Sequence, residues 1–279
     1  MDRKVGIIGY GSMGKMLLWK FAEAGVISKE MLLVANRTRE KLDEASSIAT
    51  ICESNAELAA KADIIFVCVR PSDMKGVFEE VLNSIQSDQS VQSDKLLVSL
   101  NGNITFDTFD KIGRCRMAKV IPSLTAEIDR SQTLICFNEL ADVNDKERLK
   151  QLLSCIGEVI ELPEHEMGMG SELVSCMPGF IASVFDVLCQ AGKKHTEIPE
   201  EQVVKMVLNT LSATSDLMLR KGMTFEEVVN RVATKGGITQ EGTKVVYEGF
   251  PTTADLLFEK TLEKRRLIAE NARKSFDEK

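Results

Sequence analysis

The stretch Val5-Gly6-Ile7-Ile8-Gly9-Tyr10-Gly11-Ser12-Met13-Gly14 decides how this chain is read. A short apolar run is followed at once by G-x-G-x-x-G, and then by Met16, Leu17, Phe21 and Ala24, an apolar stripe at helical spacing. In a strand–turn–helix setting the first glycine makes the tight turn. The second lets a pyrophosphate approach the backbone, and the third permits close packing of helix on strand. The free N–H groups at the helix start then face phosphates. A purely structural glycine turn is the alternative reading of Gly9, Tyr10, Gly11, Ser12, Met13 and Gly14.

Outward from that motif, the first 160 or so residues alternate apolar runs with helical stretches, the pattern of parallel strands joined by crossover helices. Strands are expected at Val5–Gly9, Met31–Ala35, Ile64–Val69, Leu96–Leu100, Cys115–Ile121, Gln132–Phe137 and Val159–Leu162. Helices are expected at Met13–Ala24, Arg39–Ser47, Asp73–Ile85 and Asn144–Cys155, with a surface loop over Asn83–Asp94. From about Pro163 the β-type runs stop. Val203, Val204, Val207, Leu208 and Leu211, then Val228, Val229 and Val232, recur at helical spacing, and a last helix is expected from Thr252 to about Lys274. The fold class is therefore α/β: a doubly wound, Rossmann-type sheet domain over residues 1–163, then an all-α domain over 164–279.

The 279 residues carry 35 Lys+Arg and 42 Asp+Glu, a net charge of −7, which argues against a nucleic-acid partner. Seven cysteines make an odd count without a C-x-x-C pair, so neither a disulfide framework nor a metal site is readable. Reduced thiols point to the cytoplasm. The apolar run Val5–Gly9 falls far short of the ~18 residues that suggest a membrane span, and no signal peptide precedes it. No membrane association is expected.

At the end of the second strand a carboxylate would accept from the ribose 2′-hydroxyl of NAD. Here the residues are Asn36-Arg37-Thr38, which can hold a 2′-phosphate through charge-assisted hydrogen bonds, so NADP(H) is the expected cofactor. A solvated Arg37 is the alternative. His165 and His195 sit in no metal or triad spacing, and Glu200–Glu201 and Glu226–Glu227 read as helix N-terminal charges. The segment Arg231–Gly242 contains two glycines and two threonines between helices, a ready-made site for a small carboxylate or a simple interhelical turn.

Together these residues resemble the pyrroline-5-carboxylate reductase family, over nearly the whole chain. The G-x-G-x-x-G stretch and Asn36-Arg37-Thr38 match it, and Asn55 falls at its cofactor-contacting asparagine. Val69-Arg70-Pro71 stands at its V-K-P position, Glu164 at an acidic residue opening the second domain, Pro178 at the proline of S-G-S-G-P-A, and Gly236-Gly237-Ile238-Thr239 on S-P-G-G-T-T. Asn101 and Gly102, after the Leu96–Leu100 strand, complete the expected cofactor set. The resemblance implies an NAD(P)H-binding domain, a helical domain forming a homodimer or higher homo-oligomer, and an active site between them. It further implies hydride transfer to the C=N of a cyclic imino acid, the last step of proline biosynthesis. Thr239 would be the catalytic hydroxyl, and Thr234, Lys235, Gly236, Gly237, Ile238 and Glu164 would bind substrate.

The chain also departs from the family pattern. Ile121-Pro122-Ser123-Leu124-Thr125-Ala126 replaces M-P-N-T-P-A, Val174-Ser175-Cys176-Met177 replaces S-G-S-G, and Lys235 and Ile238 replace a proline and a threonine. These features are most similar to the late-competence, ComER-like branch. They motivate an alternative, a regulatory relative that binds NADP(H) with altered or no turnover. A 3-hydroxyacid dehydrogenase would need a lysine within Pro178–Gln190, and there is none.

Overall fold

The computed structural model describes residues 3–86 and 94–277. The chain divides into two compact units, residues 1–178 together with 262–279, and residues 179–261.

The first unit is built on an eight-stranded sheet. Its strands are β1 (Val5–Ile8), β2 (Leu32–Ala35), β3 (Thr50–Ile51), β4 (Ile64–Val67), β5 (Leu96–Ser99), β6 (Arg116–Ile121), β7 (Ser131–Phe137) and β8 (Gly157–Glu161), in the order β3-β2-β1-β4-β5-β6-β7-β8. Every pair is parallel except β6 with β7, where Ala118 faces Phe137 and Ile121 faces Leu134. Strand order reverses beside β1, placing the topological switch point between the C-terminal ends of β1 and β4. The helices of this half are α1 (Ser12–Glu23), α2 (Asn55–Lys61), α3 (Pro71–Gln86), α4 (Phe106–Phe109) and α5 (Val143–Leu153).

β1, β2, β4 and β5 lack polar–apolar alternation because both faces are covered. Ile7, Val34, Phe66 and Val98 point into one core with Leu17, Leu18 and Phe21 of α1 and Leu149 and Leu152 of α5. Ile8, Leu33, Ile65 and Leu97 point into the other, with Leu58 of α2 and Met74, Phe78 and Val81 of α3. Phe78 stacks on Phe109 at 4.3 Å, and Phe276 meets Phe109 edge-on at 5.7 Å.

All seven expected strands are present within two residues at each end, and a two-residue edge strand, β3, is added. The helix expected over Arg39–Ser47 is instead two 3-10 turns, Arg39–Leu42 and Glu44–Ser47. Only Leu42 and Ala45 are buried there, too little apolar surface to sustain a packed helix. Within the loop expected over Asn83–Asp94, residues 83–86 instead complete α3, and residues 87–93 lie outside the described residues.

After β8 the chain is helical, with α6 (Met167–Ser171), a π-helical turn over Glu172–Cys176, α7 (Met177–Lys193), α8 (Glu200–Lys221), α9 (Phe225–Val232) and α10 (Ile238–Asp277). Glu200, Glu201, Glu226 and Glu227 do open helices, and Thr224 with Glu227 forms a capping box. The expected last helix starts fourteen residues earlier than Thr252, because α10 runs through Pro251. Among the described residues of the second unit, Cys189 is the only buried apolar side chain, whereas Val187, Leu188, Leu208, Leu219, Val245 and Tyr247 are exposed. The run Glu164–Lys193 is 30 residues long with a mean hydropathy of 1.6 in its most apolar window, enough by length and composition to cross a membrane.

Glycines separate packing from propensity. A Cβ on Gly14 would lie 2.0 Å from the carbonyl oxygen of Gly9, whereas one on Gly76, exposed in α3, would touch nothing within 4 Å. Gly14→Ala should therefore lower stability by about 1–3 kcal/mol, while Gly76→Ala should raise it by about 0.5–1 kcal/mol. Urea denaturation midpoints of the two variants check both signs.

Candidate functional site

The first unit holds a cleft of about 540 Å³ at the C-terminal edge of the sheet, over the switch point. Its floor is Gly9, Tyr10 and Gly11 between β1 and α1, and one wall is Asn36, Arg37, Thr38, Arg39 and Lys41 after β2. The other wall is Glu53, Ser54, Asn55, Cys68, Val69, Arg70, Asp73, Val77 and Glu80.

The glycines are held by different constraints. Gly9 has φ +96°, and a Cβ there would press within 2.7 Å of the Cys68 carbonyl oxygen, so no other residue suits the crossing from β1. Gly14 is buried against the Gly9 carbonyl, which brings the start of α1 down onto the strand. Gly11 has open space where a side chain would be, a cradle that a Cβ would begin to fill. Asn36 ties the loop in place: its Oδ1 accepts from the Tyr10 N–H at 2.9 Å, and its Nδ2 donates to the Thr38 carbonyl at 2.8 Å. The Tyr10 hydroxyl accepts from Trp19 Nε1 at 2.9 Å, so this ring is tied into the core.

Three cations stand together after β2. Arg37 is 88% exposed with Nη1 3.9 Å from Asp73, Arg39 makes a two-pronged contact with Glu53, and Lys41 lines the same wall. Asn55 opens α2, capped by Ser54, and donates to Glu80 at 2.8 Å. Burial pushes the Cys68 thiol well above the ordinary thiol range, so it presents a neutral wall and no thiolate.

Of the cofactor residues expected from sequence, Gly9, Tyr10, Gly11, Asn36, Arg37, Thr38, Asn55, Val69 and Arg70 line this cleft. Ser12, Met13, Gly14 and Pro71 do not line it: Gly14 packs on β1 and Pro71 is the first residue of α3. Asn101 and Gly102 follow the neighbouring strand β5, where Asn101 Oδ1 accepts from the Asn103 N–H at 2.9 Å. Sequence reading passed over Arg39, Lys41 and Glu53. The signal was the cluster of three cations within Arg37–Lys41, which a helical reading of that segment places on a solvated face.

Glu164, expected to bind substrate, is already occupied. Its Oε1 lies 2.5 Å from Lys119 Nζ and accepts from the Phe106 N–H at 2.8 Å, and Lys119 is 1% exposed. A carboxylate that neutralises a buried lysine and caps a backbone N–H has its charge committed inside the fold. A second buried network had no sequence signal, because its members are far apart in the chain. Arg265 of α10 donates to Glu172 Oε1 at 2.8 and 3.0 Å, to Ser171 at 3.1 Å and to Asn103 at 2.8 Å. Glu172 is 2% exposed and begins the π-helical turn that also carries Cys176, whose thiol is pushed up by burial and by that carboxylate. π-turns of this kind recur at functional sites.

In the second unit, Thr234, Lys235, Gly236, Gly237, Ile238 and Thr239 form the turn into α10. Gly236 has φ +73° and its N–H donates to Gln240 Oε1 at 2.8 Å, while the Gly237 N–H donates to the Thr234 carbonyl at 2.9 Å. Ile238 is 94% exposed and Thr239 is exposed on the first turn of a long helix. All seven cysteines are free, and no three His, Cys, Asp or Glu side chains form a metal cluster among the described residues.

With this geometry in view, the relatives are informative. Residues 4–101 match a family described as NADP oxidoreductase, coenzyme F420-dependent, and residues 164–267 match the pyrroline-5-carboxylate reductase dimerisation domain. Pyrroline-5-carboxylate reductase 3 of Bacillus subtilis is 29% identical over 97% of this chain and 98% of its own length. Over nearly its whole length the chain is similar to pyrroline-5-carboxylate reductases. ComE operon protein 4 of the same organism is 24% identical over 92% of this chain and 93% of its own. The fold is shared with the NADP-bound pyrroline carboxylate reductase of Plasmodium falciparum, at 22% identity and a TM-score of 0.84 over 96% of this chain and 98% of that one. The Coxiella burnetii pyrroline-5-carboxylate reductase structure gives 21% identity and a TM-score of 0.82, over 98% of this chain and 99% of that one.

The Arg265 network makes a direct prediction. Removing the guanidinium leaves Glu172 charged, buried and unpaired, which should cost about 3–5 kcal/mol. Thermal unfolding of Arg265→Ala should show that loss, with Arg265→Lys between it and the parent because a point charge cannot reproduce the three-way fork.

Proposed function

We propose that this protein is an NADP(H)-dependent reductase of a cyclic imino acid, Δ1-pyrroline-5-carboxylate in the first instance, acting in the last step of proline biosynthesis. The observation that carries the cofactor reading is the cleft itself. Gly11 leaves the backbone open to a pyrophosphate, and Arg37, Arg39 and Lys41 crowd the end of β2 where an NAD-specific site would place a carboxylate. The residues present fit the dinucleotide. When bound, NADPH supplies the hydride for the imine carbon.

The chain's own residues bind and orient. The N-terminus of α1 and the Gly9–Gly11 backbone hold the pyrophosphate, and the cations after β2 hold the 2′-phosphate. Val69, Arg70 and Pro71, with Asn101 and Gly102 at the end of β5, border the nicotinamide half. Gly236 and Gly237 shape the turn that opens α10, so that the N–H groups of Ile238 and Thr239 at the helix start meet the substrate carboxylate, with Lys235 adding a positive charge. Thr239 donates to, or accepts from, the ring nitrogen as its charge changes in the transition state. Thr234 and Ile238 flank the substrate, whereas Glu164 acts indirectly by fixing Lys119 and the Phe106 backbone. On this reading residues 1–163 serve the cofactor and 164–279 the substrate and dimerisation, a division by role that differs from the compact units, because residues 164–178 and 262–279 pack with the sheet.

A second copy of the chain covers the exposed apolar side chains of the helical unit, among them Val187, Leu188, Leu208 and Leu219. Burying each such side chain is worth about 1.5–3 kcal/mol, and the apolar run Glu164–Lys193 falls inside the matched dimerisation domain. A homodimer explains that run without a membrane, and supports a cytoplasmic enzyme. The regulatory reading keeps support from Met177, Lys235 and Ile238, but the reductase of B. subtilis matches at higher identity than the competence-operon protein.

NADPH oxidation with Δ1-pyrroline-5-carboxylate, run beside an NADPH-binding titration, tests the proposal. Turnover is the expected result, and tight binding without turnover would favour the regulatory relative. Thr239→Val should lower kcat by roughly tenfold or more, the equivalent of one lost transition-state hydrogen bond. An unchanged kcat would remove Thr239 from the mechanism.

A further inference from the structure

Two cations of the proposed 2′-phosphate site, Arg39 and Arg37, already face carboxylates. Arg39 meets both carboxylate oxygens of Glu53, with Nη2 2.6 Å from Oε1, and Arg37 lies 3.9 Å from Asp73. Arg39 and Glu53 both border the cleft, one after β2 and the other after β3, which pair side by side. The neighbouring carboxylate Glu57 has its own cation, Lys61, at 2.5 Å, and its other oxygen accepts from the Glu53 N–H at 2.6 Å. That bond to the backbone holds the Glu53 position while leaving the Glu53 carboxylate to Arg39. The two-pronged geometry is the one a guanidinium offers equally to a carboxylate or a phosphate.

We propose that Glu53 is a built-in competitor for the cofactor's 2′-phosphate: it occupies Arg39 in the phosphate's place, and the exchange of one anion for the other at Arg39 sets the preference for NADPH over NADH. The inference rests on the cofactor reading above and assigns to it a specificity residue outside the Asn36-Arg37-Thr38 segment. The exchange is feasible because the pair is exposed, Arg39 by 57% and Glu53 by 68%, and exposed ion pairs are weak. A phosphate carrying close to two negative charges displaces a monoanionic carboxylate from the same fork. NADH brings no anion to this point, so Arg39 and Glu53 stay paired and its affinity is indifferent to both residues.

The test is a set of fluorescence titrations with NADPH and NADH on the full chain, for the parent protein, Glu53→Gln, Arg39→Gln and the double variant. Glu53→Gln should tighten NADPH by about three- to fivefold, and Arg39→Gln should weaken it by about tenfold, with NADH moving less than twofold in either. In the Arg39→Gln background the gain from Glu53→Gln should vanish, because the competitor has nothing left to occupy. Equal shifts for both nucleotides, or a gain that persists without Arg39, would overturn the role of Glu53. A parent protein that binds neither nucleotide would overturn the cofactor reading itself, so the two failures are distinct. NADH affinity reports that each variant's site is intact.

Discussion

The contact between Gly14 and the Gly9 carbonyl is the constraint on which the first unit depends. It lets the first turn of α1 sit directly on the end of β1, closer than any side chain would permit. That approach aims the free N–H groups of α1 over the switch point, beside the end of β4, where Cys68 closes in on Gly9 from the other side. The cleft exists because helix and strand meet there without side chains between them.

Around this point the fold spends its charges in pairs. Lys119 and Glu164 join β6 to the start of the helical run, and Arg265 with Glu172 joins α10 to the π-helical turn and to Asn103 after β5. Each pair has one deeply buried member, Lys119 in one and Glu172 in the other, so removing the partner of either strands a charge away from water, and their value lies in fixing segment positions more than in net stability. The pairs at the cleft mouth, Arg37 with Asp73 and Arg39 with Glu53, are exposed and exchangeable. The same chemistry serves as a rivet inside the fold and as a latch at its surface, and burial decides which.

The helical unit presents the opposite balance. It buries almost none of its apolar side chains within the protomer, and Pro251 interrupts regular α-helical bonding in α10. A chain that ends its sheet domain complete and its helices uncovered is organised for association through those helices, in keeping with the dimerisation domain that it carries.

Much of the sheet domain was legible in the sequence because its signals are local. Apolar runs at β1, β2, β4 and β5 reflect strands covered on both faces, and the glycine motif reflects contacts between residues five apart. The cation cluster Arg37–Lys41 was also local, but its meaning was hidden by a helical pattern that the burial of only two residues could not sustain. What only the tertiary structure decided is how distant charges are assigned. That Glu164 is committed to Lys119, that Arg265 reaches Glu172 and Asn103, and that Glu53 holds Arg39 all follow from strand order and helix return. Those bring together residues separated by 14 to 162 positions. Periodicity along a chain reports which face of an element is buried, but an ion pair depends on which two elements become neighbours, and that is settled only when the sheet assembles.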